Sequence, residues 1–345
     1  MGGKKINIEC IRVFAIFLTI MVHISNLYIM RYPSLEGWKF FSAVTYNSIA
    51  RVCVPLFFMI SGIFLLKGEF VRAKYIARIR RFVLILAAWS IVYYLYNYGF
   101  TLKNAGKIFV QSIFNPSMTS RHLWFMYAII GIYIALPFIQ NMCKNMTREQ
   151  ENMFLILWVV LSGLDSVYVP LASRYVGMDL TVSYPVPIIN ATYYLGYFVV
   201  GHILYERFCR TKRVRKVNAI CVLGYVVSTI LSVVITYFVS KHDHQYFDAM
   251  TWYRGILVIV ASVSLFALMV VHEEQIKHSA ILKLSELSFG VYLIHYIFVS
   301  EIVERWEVVE LNPILFIPLI TLGVYVASLT VCWVLKRIPV LKWMI

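Results

Sequence analysis

Charged residues are scarce in this chain: Asp, Glu, Lys and Arg make up 14% of its 345 residues, whereas hydrophobic residues make up 61%. A soluble domain of this length does not need so large an apolar fraction for one core. The composition predicts an all-α fold, a polytopic membrane helix bundle with about ten transmembrane helices. Crossing a bilayer takes about 20 apolar residues, and runs of roughly that length cover 8–30, 43–66, 82–98, 122–141, 152–170, 188–205, 217–239, 253–272, 286–303 and 313–335.

Acidic residues are rarer than basic ones, 17 against 32, which leaves a formal net charge of +15. In a soluble protein this excess would suggest nucleic acid, but in a membrane protein the basic residues are judged by the loops that hold them. With the N-terminus inside, 21 of the 32 Lys and Arg residues fall on its side of the membrane and nine on the other. The positive-inside rule then predicts that both termini are cytoplasmic and that the basic loops face the anionic inner leaflet, with no nucleic-acid partner.

The sequence has no cysteine spacing of the metal-binding kind, no Pro-, Gly- or Ser-rich linker and no internal repeat. Its six cysteines fall in predicted spans or on the cytoplasmic side, where thiols stay reduced. We therefore predict no disulfide framework, no metal site and one membrane domain over residues 1–345. Within that domain we expect an amphipathic interfacial helix in the outer connection 99–121 and an irregular outer loop over 171–187.

Four ionisable side chains lie well inside the predicted spans: Arg12 and His23 on the first, Arg51 on the second and His295 on the ninth. A charged residue at the centre of a transmembrane helix costs roughly 2.5–3.5 kcal/mol on insertion scales, so these four are functional candidates. Snorkelling or helix capping is the ordinary explanation for ionisable residues near span ends. Five residues belong to that second group: His122, Asp165, His202, Glu286 and Glu301.

Arg12 and His23 are eleven residues apart, almost three helical turns, so both side chains leave the helix on one face. The rise of ~1.5 Å per residue separates them by roughly 16 Å, with Arg12 near the cytoplasmic surface and His23 deep in the bilayer. An ion pair with Glu9 at the helix end also explains Arg12. His23 suits a general base for a hydroxyl, with Ser25 and Asn26 beside it to orient the ring or hold a substrate. A histidine hydrogen-bonded between helices fits the position equally well.

For the other candidate site residues a functional and a purely structural interpretation are both open. Arg78 and Arg81 are three residues apart on one helix face and can clamp phosphate groups, but topology alone also requires a basic inner loop. His295 is predicted near the midplane at about the depth of His23, either as part of a histidine pair in a cavity or as a single hydrogen-bonded histidine. Arg51 requires a partner, which can be an acceptor substrate or an outer-end acid such as Glu301.

Five ordered motifs resemble the acyltransferase 3 family of membrane acyltransferases over nearly the whole chain. They are IECIRVFAIFLTIMVH at 8–23, RVCVPLFFMISGIFLL at 51–66, the Arg-x-x-Arg pair at 78 and 81, HLWFMYAIIGIYIALP at 122–137 and LSFGVYLIH at 287–295. Within the family, SIARVCVPLFFMISG and TWYRG are most similar to the branch that contains the enterobacterial common antigen O-acetyltransferase. The membrane portion of serine racemases is similar too.

The resemblance implies an acetyl-CoA-dependent O-acetyltransferase in a bacterial inner membrane, with no permanently bound cofactor. Its partners would be a cytoplasmic acyl-CoA donor, a glycan or lipid-linked sugar acceptor, and the bilayer. His23 would be the catalytic histidine, as base or as transient acyl carrier, and Arg12 its motif partner. Arg78 and Arg81 would contact the CoA phosphates. For substrate binding the candidates are Arg51, Asn26 and His295, and the outer aromatics Tyr28, Tyr32 and Trp38 are suited to stacking on sugar rings.

Two alternatives belong to other functional classes. The likeness to serine racemases favours a transporter of a small solute such as serine, or the membrane portion of a racemase-like protein. In that protein the same buried polar groups would form the solute site. The remaining alternative is a catalytically silent assembly subunit of a polysaccharide export system, which would bind no CoA thioester.

Overall fold

The protein is all-helical in the part that the computed structural model describes, which comprises residues 6–99, 106, 120–176, 191–209, 211, 213–272, 279–305 and 310–345. The described residues form long helices with short 3-10 turns and no strand. The long helices are α1 (Ile6–Ile29), α2 (Gly37–Ala50), α3 (Cys53–Leu66), α4 (Arg72–Tyr98), α5 (Trp124–Asn145), α6 (Arg148–Val176), α7 (Ala191–Phe208), α8 (Val214–Asp243), α9 (Ile256–Val271), α10 (Ser279–Arg305) and α11 (Pro313–Leu335). The all-α prediction is confirmed.

Seven stretches of the described chain are long and apolar enough to cross a membrane, which confirms a multi-pass helical bundle. They are Ile8–Ile29, Gly37–Leu66, Arg121–Asn145, Val214–Asp243, Ala249–Val271, Ala280–Val303 and Pro313–Leu335. The other three of the ten predicted runs lie on α4, α6 and α7. Charged residues occupy one end of each of these three helices, which shortens or dilutes the apolar run.

The second predicted span is broken into α2 and α3, with Arg51 and Val52 between them. Pro55 explains the break, because proline has no N–H to donate to the carbonyl of residue 51 and its ring crowds that carbonyl. Helical bonding resumes with the N–H of Leu56, which donates to the Val52 carbonyl at 3.0 Å. The interruption places Arg51 at the junction of α2 and α3, where its carbonyl lacks the N–H that residue 55 would donate in a continuous helix.

The ends of α6 and α11 carry sequence signals for helix starts. Before α6, the Thr147 N–H donates to Gln150 Oε1 at 2.8 Å and the Gln150 N–H donates to Thr147 Oγ1 at 3.3 Å, a reciprocal capping box. Before α11, the side chain of Asn312 accepts from the Ile314 N–H at 3.0 Å, and Pro313 occupies the first helical position. These caps satisfy N–H groups that the helices themselves leave unpaired.

Helix α1 lies at the centre of the bundle and contacts α2, α3, α9, α10 and α11. Ile11, Ile16 and Ile20 of α1 are completely buried. Polar side chains of a helix so enclosed need a cavity between its neighbours. The face of α1 that carries Arg12 and His23 borders such a cavity.

Helices α3 and α7 approach each other through two glycines, Gly62 and Gly201. A Cβ atom at Gly62 would overlap the backbone carbonyl of Phe198, and one at Gly201 would overlap the backbone of Met59. Small residues allow helix backbones this close in a membrane, where packing rather than water exclusion drives association. The close approach holds the cavity-lining face of α3 in place.

Two predicted outer segments fall largely outside the described residues. The expected amphipathic helix within 99–121 lies there, and so does most of the expected loop over 171–187. The prediction of an irregular chain from residue 171 is wrong for its first part, because α6 continues to Val176 with Pro170 inside it. A transmembrane helix tolerates an internal proline when neighbouring groups satisfy the freed carbonyl.

Candidate functional site

A central cavity of about 260 Å³ lies against α1, and both Arg12 and His23 line it. The prediction that these two side chains share one face is therefore confirmed. The remaining walls come from α3, α4, α5, α10 and the segment before α9. Most of the lining is aromatic or aliphatic, and Thr19, Ser61 and Ser288 supply hydroxyl groups.

Arg12 is held at one end of this cavity by hydrogen bonds to Glu9 and Ser285. Its Nη1 donates to Glu9 Oε2 at 2.7 Å and to Ser285 Oγ at 3.2 Å, and Ser285 also donates to Glu9. The ion pair with Glu9 is thus present together with the cavity position. The Arg12 side chain retains 30% exposure against 9% for Glu9, so the guanidinium keeps a surface for a further anion.

Arg78 lies behind the same end of the cavity. Its guanidinium carbon lies 5.8 Å from the centroid of the Tyr133 ring, and Tyr133 lines the cavity together with Arg12. Arg78 also lines a second pocket of about 450 Å³, in which Lys74 and Glu69 are the other charged residues. Arg78 and Tyr133 therefore lie between this second pocket and the central cavity.

His23 and His295 meet at the middle of the bundle, with ring centroids 5.3 Å apart. The ring of Tyr296 lies 5.1 Å from that of His23. His295 is fully buried, and its Nδ1 lies 3.1 Å from the Val291 carbonyl. Since a carbonyl only accepts, the neutral ring carries its proton on Nδ1, and Nε2 is left with a lone pair. The expectation that His295 lies at about the depth of His23 is confirmed, and His295 is both hydrogen-bonded and paired with His23.

His122 joins this cluster, which the sequence interpretation missed by treating it as an ordinary span-end residue. Its ring lies 5.2 Å from that of His295 and stacks at 5.1 Å on Tyr296, and it lines the cavity. Its Nδ1 pairs with Ser120 Oγ at 2.7 Å. The sequence feature that could have identified His122 as a site residue is its position as the first residue of the HLWF motif.

Two ring nitrogens in this cluster are buried without a hydrogen-bond partner among the described residues, His122 Nε2 and His295 Nε2. A buried polar atom left unpaired costs about 1–3 kcal/mol, so such atoms are uncommon unless a ligand or water completes them. The cluster is not arranged as a metal site, since the described residues contain no group of three His, Cys, Asp or Glu side chains that could hold an ion. The geometry instead suits exchange of protons and hydrogen bonds with a bound molecule.

Arg51 and Asn26 lie beside the cavity, in a polar network that joins α1 to α2. Asn47 is fully buried, and its Oδ1 accepts from Arg51 Nε at 2.8 Å. Its Nδ2 donates to Asn26 Oδ1 and to Ser25 Oγ, both at 2.9 Å. The Arg51 guanidinium also lies 5.3 Å from the centroid of the Tyr253 ring, which does line the cavity.

The predicted alternative for Arg51, an ion pair with Glu301, is wrong. Among the described residues Arg51 makes no ion pair, and Glu301 accepts from Tyr96 Oη at 2.8 Å. Arg51 directly follows the last residue of α2, so the Asn47 amide four residues earlier lies one helical turn away and within reach. Glu286, the other acid considered on α10, pairs with Lys336 at 3.1 Å, as expected for a span end.

Aromatic rings line the end of the cavity opposite Arg12. Trp124 and Tyr253 both face it, with ring centroids 5.8 Å apart and planes 30° from parallel. The outer aromatics singled out from the sequence lie elsewhere. Tyr28 is completely buried, Tyr32 stacks on Phe40 at 4.2 Å, and Trp38 is 53% exposed.

Comparison with known proteins gives one match that spans the chain. The model of the acyltransferase 3 family, described as an acyltransferase domain, matches residues 5–337. No curated protein and no solved structure matches the chain significantly. All the residues of the cavity described above lie within the matched range.

Proposed function

The chain belongs to the acyltransferase 3 family and is a multi-pass membrane acyltransferase, and on that premise we propose that it is an acetyl-CoA-dependent O-acetyltransferase. In this proposal the acceptor is a hydroxyl of a cell-surface glycan or of its lipid-linked precursor. The donor is a cytoplasmic acyl-CoA, and the enzyme resides in a bacterial inner membrane. The likeness to the branch of the enterobacterial common antigen O-acetyltransferase supports this acceptor class.

One observation carries the proposal: Arg12 and His23 line the same cavity, about 16 Å apart along one helix. An acyl-CoA needs a cationic site that binds the phosphates of its nucleotide. It also needs a catalytic group near the acyl carbon, which lies at the far end of the flexible arm of the donor. Arg12 lies at the end near the second pocket, and His23 lies deeper in the same cavity. A single bound donor can therefore contact both regions.

The donor end is supported by the charges around Tyr133. Arg12 and Arg78 approach from the cavity and from the second pocket, and Lys74 lines that pocket as well. Arginine binds phosphate oxygens with paired hydrogen bonds, which suits the diphosphate and 3′-phosphate of CoA. The positive-inside distribution of charge favours a cytoplasmic location for this end, on the side where acyl-CoA is made.

His23 is the proposed catalytic histidine. As a general base it would take the proton from the acceptor hydroxyl while the hydroxyl oxygen bonds to the acyl carbon and the carbon–sulfur bond breaks. The proton would then pass to the departing thiolate, so that the products are an ester and free CoA thiol. As a nucleophile it would instead carry the acyl group briefly before the hydroxyl takes it. The lining of the cavity is mostly aromatic and aliphatic, which disfavours water beside such an acyl-histidine.

The charge of the cavity favours this function over a transporter of serine or a similar amino acid. No Asp or Glu is among the described side chains that line the cavity. The ammonium group of an amino acid would lie there without a counter-ion, at a cost that a neutral hydroxyl avoids. The imidazoles and the aromatic rings suit an uncharged acceptor better.

The proposal is tested with the full-length protein in lipid nanodiscs and acetyl-CoA labelled in the acetyl group. A lipid-linked glycan fraction of bacterial membranes serves as acceptor, and both labelled glycolipid and free CoA thiol are measured. Wild-type protein should transfer label, and His23→Ala should lose transfer by a factor of about 10² or more. A His23→Ala protein with wild-type transfer would overturn the assignment. Solute flux into proteoliposomes without acyl-CoA, with no acetyl transfer, would favour the transporter instead.

A further inference from the structure

We propose that the end of the cavity opposite Arg12 is the acceptor subsite and that it binds a pyranose ring. In this subsite the ring stacks on Trp124 and Tyr253, and one of its hydroxyls hydrogen-bonds to Nε2 of His122. The inference rests on the proposed function and adds to it the position and the chemical class of the acceptor. It assigns to Trp124 and His122 the recognition of the acceptor.

The helices give the cavity two distinct ends. On α1, Arg12 precedes His23 by eleven residues, and on α5, Trp124 precedes Tyr133 by nine. Because the Tyr133 ring lies against Arg78 at the donor end, Trp124 lies roughly 13 Å along α5 from that end. His23, roughly 16 Å along α1 from Arg12, lies at a similar depth to Trp124. An acceptor at Trp124 and the flexible arm of a donor held at Arg12 can thus meet at His23.

The aromatic pair is built as a platform. The Trp124 ring packs near Tyr253, 5.8 Å away with planes 30° apart, and near Tyr194, 5.1 Å away with planes 36° apart, and Trp124 and Tyr253 both line the cavity. Tyr253 is held in turn by the Arg51 guanidinium over its ring and by Cys53 Sγ 3.8 Å from its hydroxyl. The face of a pyranose is a patch of C–H groups, which packs on an aromatic plane, whereas a linear alkyl alcohol has no such face.

His122 supplies the directed polar contact. Its Nδ1 is occupied by Ser120 and its backbone carbonyl accepts from Tyr292 Oη at 2.7 Å, so the ring is fixed. The residue is 2% exposed, it lines the cavity, and its Nε2 has no partner among the described residues. A hydroxyl can form a hydrogen bond with Nε2 in either tautomer of the ring, because a hydroxyl both donates and accepts. An ammonium group cannot do so, since it only donates.

The test compares two acceptors that differ in the ring. The full-length protein in glycoside-free nanodiscs receives labelled acetyl-CoA and either octyl β-D-glucopyranoside, below its critical micelle concentration, or n-octanol. The measured quantity is the ratio of kcat/KM for the glucoside to kcat/KM for the alcohol. A loss of folded protein cancels in this ratio, because both rates come from one preparation.

We expect Trp124→Ala to lower the ratio by about tenfold, mainly through KM for the glucoside, as the loss of one stacking surface predicts. Trp124→Phe keeps an aromatic plane and should retain most of the ratio. His122→Gln can still present a polar atom near the position of Nε2 and should retain more of the ratio than His122→Ala. The matched control is Trp38→Ala, which removes an exposed tryptophan outside the cavity and should leave the ratio unchanged.

Several outcomes overturn the subsite. They are an unchanged ratio in both Trp124→Ala and His122→Ala, a fall in Trp38→Ala instead, and a wild-type protein that acetylates n-octanol but not the glucoside. In all of these the protein is still an acetyltransferase, so the proposed function survives. A wild-type protein that acetylates neither probe and releases no CoA with the membrane glycan fraction counts against the proposed function and the subsite together.

Discussion

His23 and His295 are 272 residues apart in the chain, yet their ring centroids lie 5.3 Å apart in the centre of the bundle. The Nδ1 of His295 donates to the Val291 carbonyl, so its Nε2 carries the lone pair in the neutral ring. The contact couples α1 to α10 at the depth where acyl transfer is proposed. From this contact we expect His295 to position His23.

Replacing His295 by phenylalanine keeps a ring of similar size and removes both nitrogens. We expect acetyl transfer to fall by at least about tenfold in kcat, because His23 loses its imidazole neighbour. Stability should change little, since Nε2 has no partner among the described residues and the Val291 carbonyl, which loses the Nδ1 donor, keeps its place in the backbone hydrogen bonding of α10. His202→Phe on α7 is the matched control, a histidine outside the cavity, and should retain wild-type kcat. Full activity in His295→Phe would contradict the positioning role.

Arg78 and Arg80 provide a comparison between neighbouring arginines on α4. Arg78→Gln should raise KM for acetyl-CoA by about tenfold, because a charged hydrogen bond to phosphate is worth about 1.5–3 kcal/mol. Arg80 is exposed, and Arg80→Gln should change KM by less than about twofold. Steady-state kinetics in nanodiscs at fixed ionic strength measures both. Equal effects of the two variants would indicate a general charge effect of the basic loop instead of a phosphate contact.

Asn47 links Arg51 to α1, and its loss should destabilise the bundle. Asn47→Leu removes the amide that accepts from Arg51 Nε at 2.8 Å, at an expected cost of about 1.5–3 kcal/mol in the free energy of unfolding. In the double variant Asn47→Leu/Arg51→Met the charge that lost its partner is also removed. The double variant should therefore be more stable than the sum of the single effects predicts, by about 0.5–3 kcal/mol. Additive effects in denaturant unfolding of the solubilised protein would show that the two residues do not interact.

Gly62 and Gly323 test the close packing of α3 on α7. Gly62→Ala places a methyl group into the Phe198 backbone and should destabilise the protein by about 1–3 kcal/mol, seen as a lower midpoint of thermal unfolding. Gly323 has no heavy atom within 4 Å of the position of a Cβ, so Gly323→Ala should be neutral or raise stability by about 0.5–1 kcal/mol. A midpoint in Gly62→Ala as high as in Gly323→Ala would contradict the packing described.

Local periodicity accounts for what the sequence predicted well. The common face of Arg12 and His23 follows from 3.6 residues per turn, and the depth of His295 follows from the rise along one helix. Both are properties of single helices, so no tertiary information is needed. The same reasoning failed for His122, because its distance from a span end says nothing about which other helices meet it there.

Partners across helices were also beyond the sequence. Arg51 was expected to meet an acid or a substrate; its hydrogen-bond partner is the Asn47 amide one turn earlier on the same segment, and across the bundle its guanidinium faces the Tyr253 ring at 5.3 Å. Aromatic residues that looked available for a sugar, such as Tyr28, are buried in the core, whereas Trp124 and Tyr253 line the cavity. The spacing along one helix cannot distinguish a ring facing a neighbour from a ring facing a space.

By itself the sequence determined that this protein is a helical membrane bundle with Arg12 and His23 on one face, because hydrophobic runs and helical period are local properties. It also carried the motifs of an acyltransferase. Only the tertiary structure decided that three histidines from α1, α10 and the start of α5 form one cluster beside an aromatic end of the cavity. The reason is physical: side chains from distant parts of the chain become neighbours only when helices pack, and packing depends on all the surfaces at once.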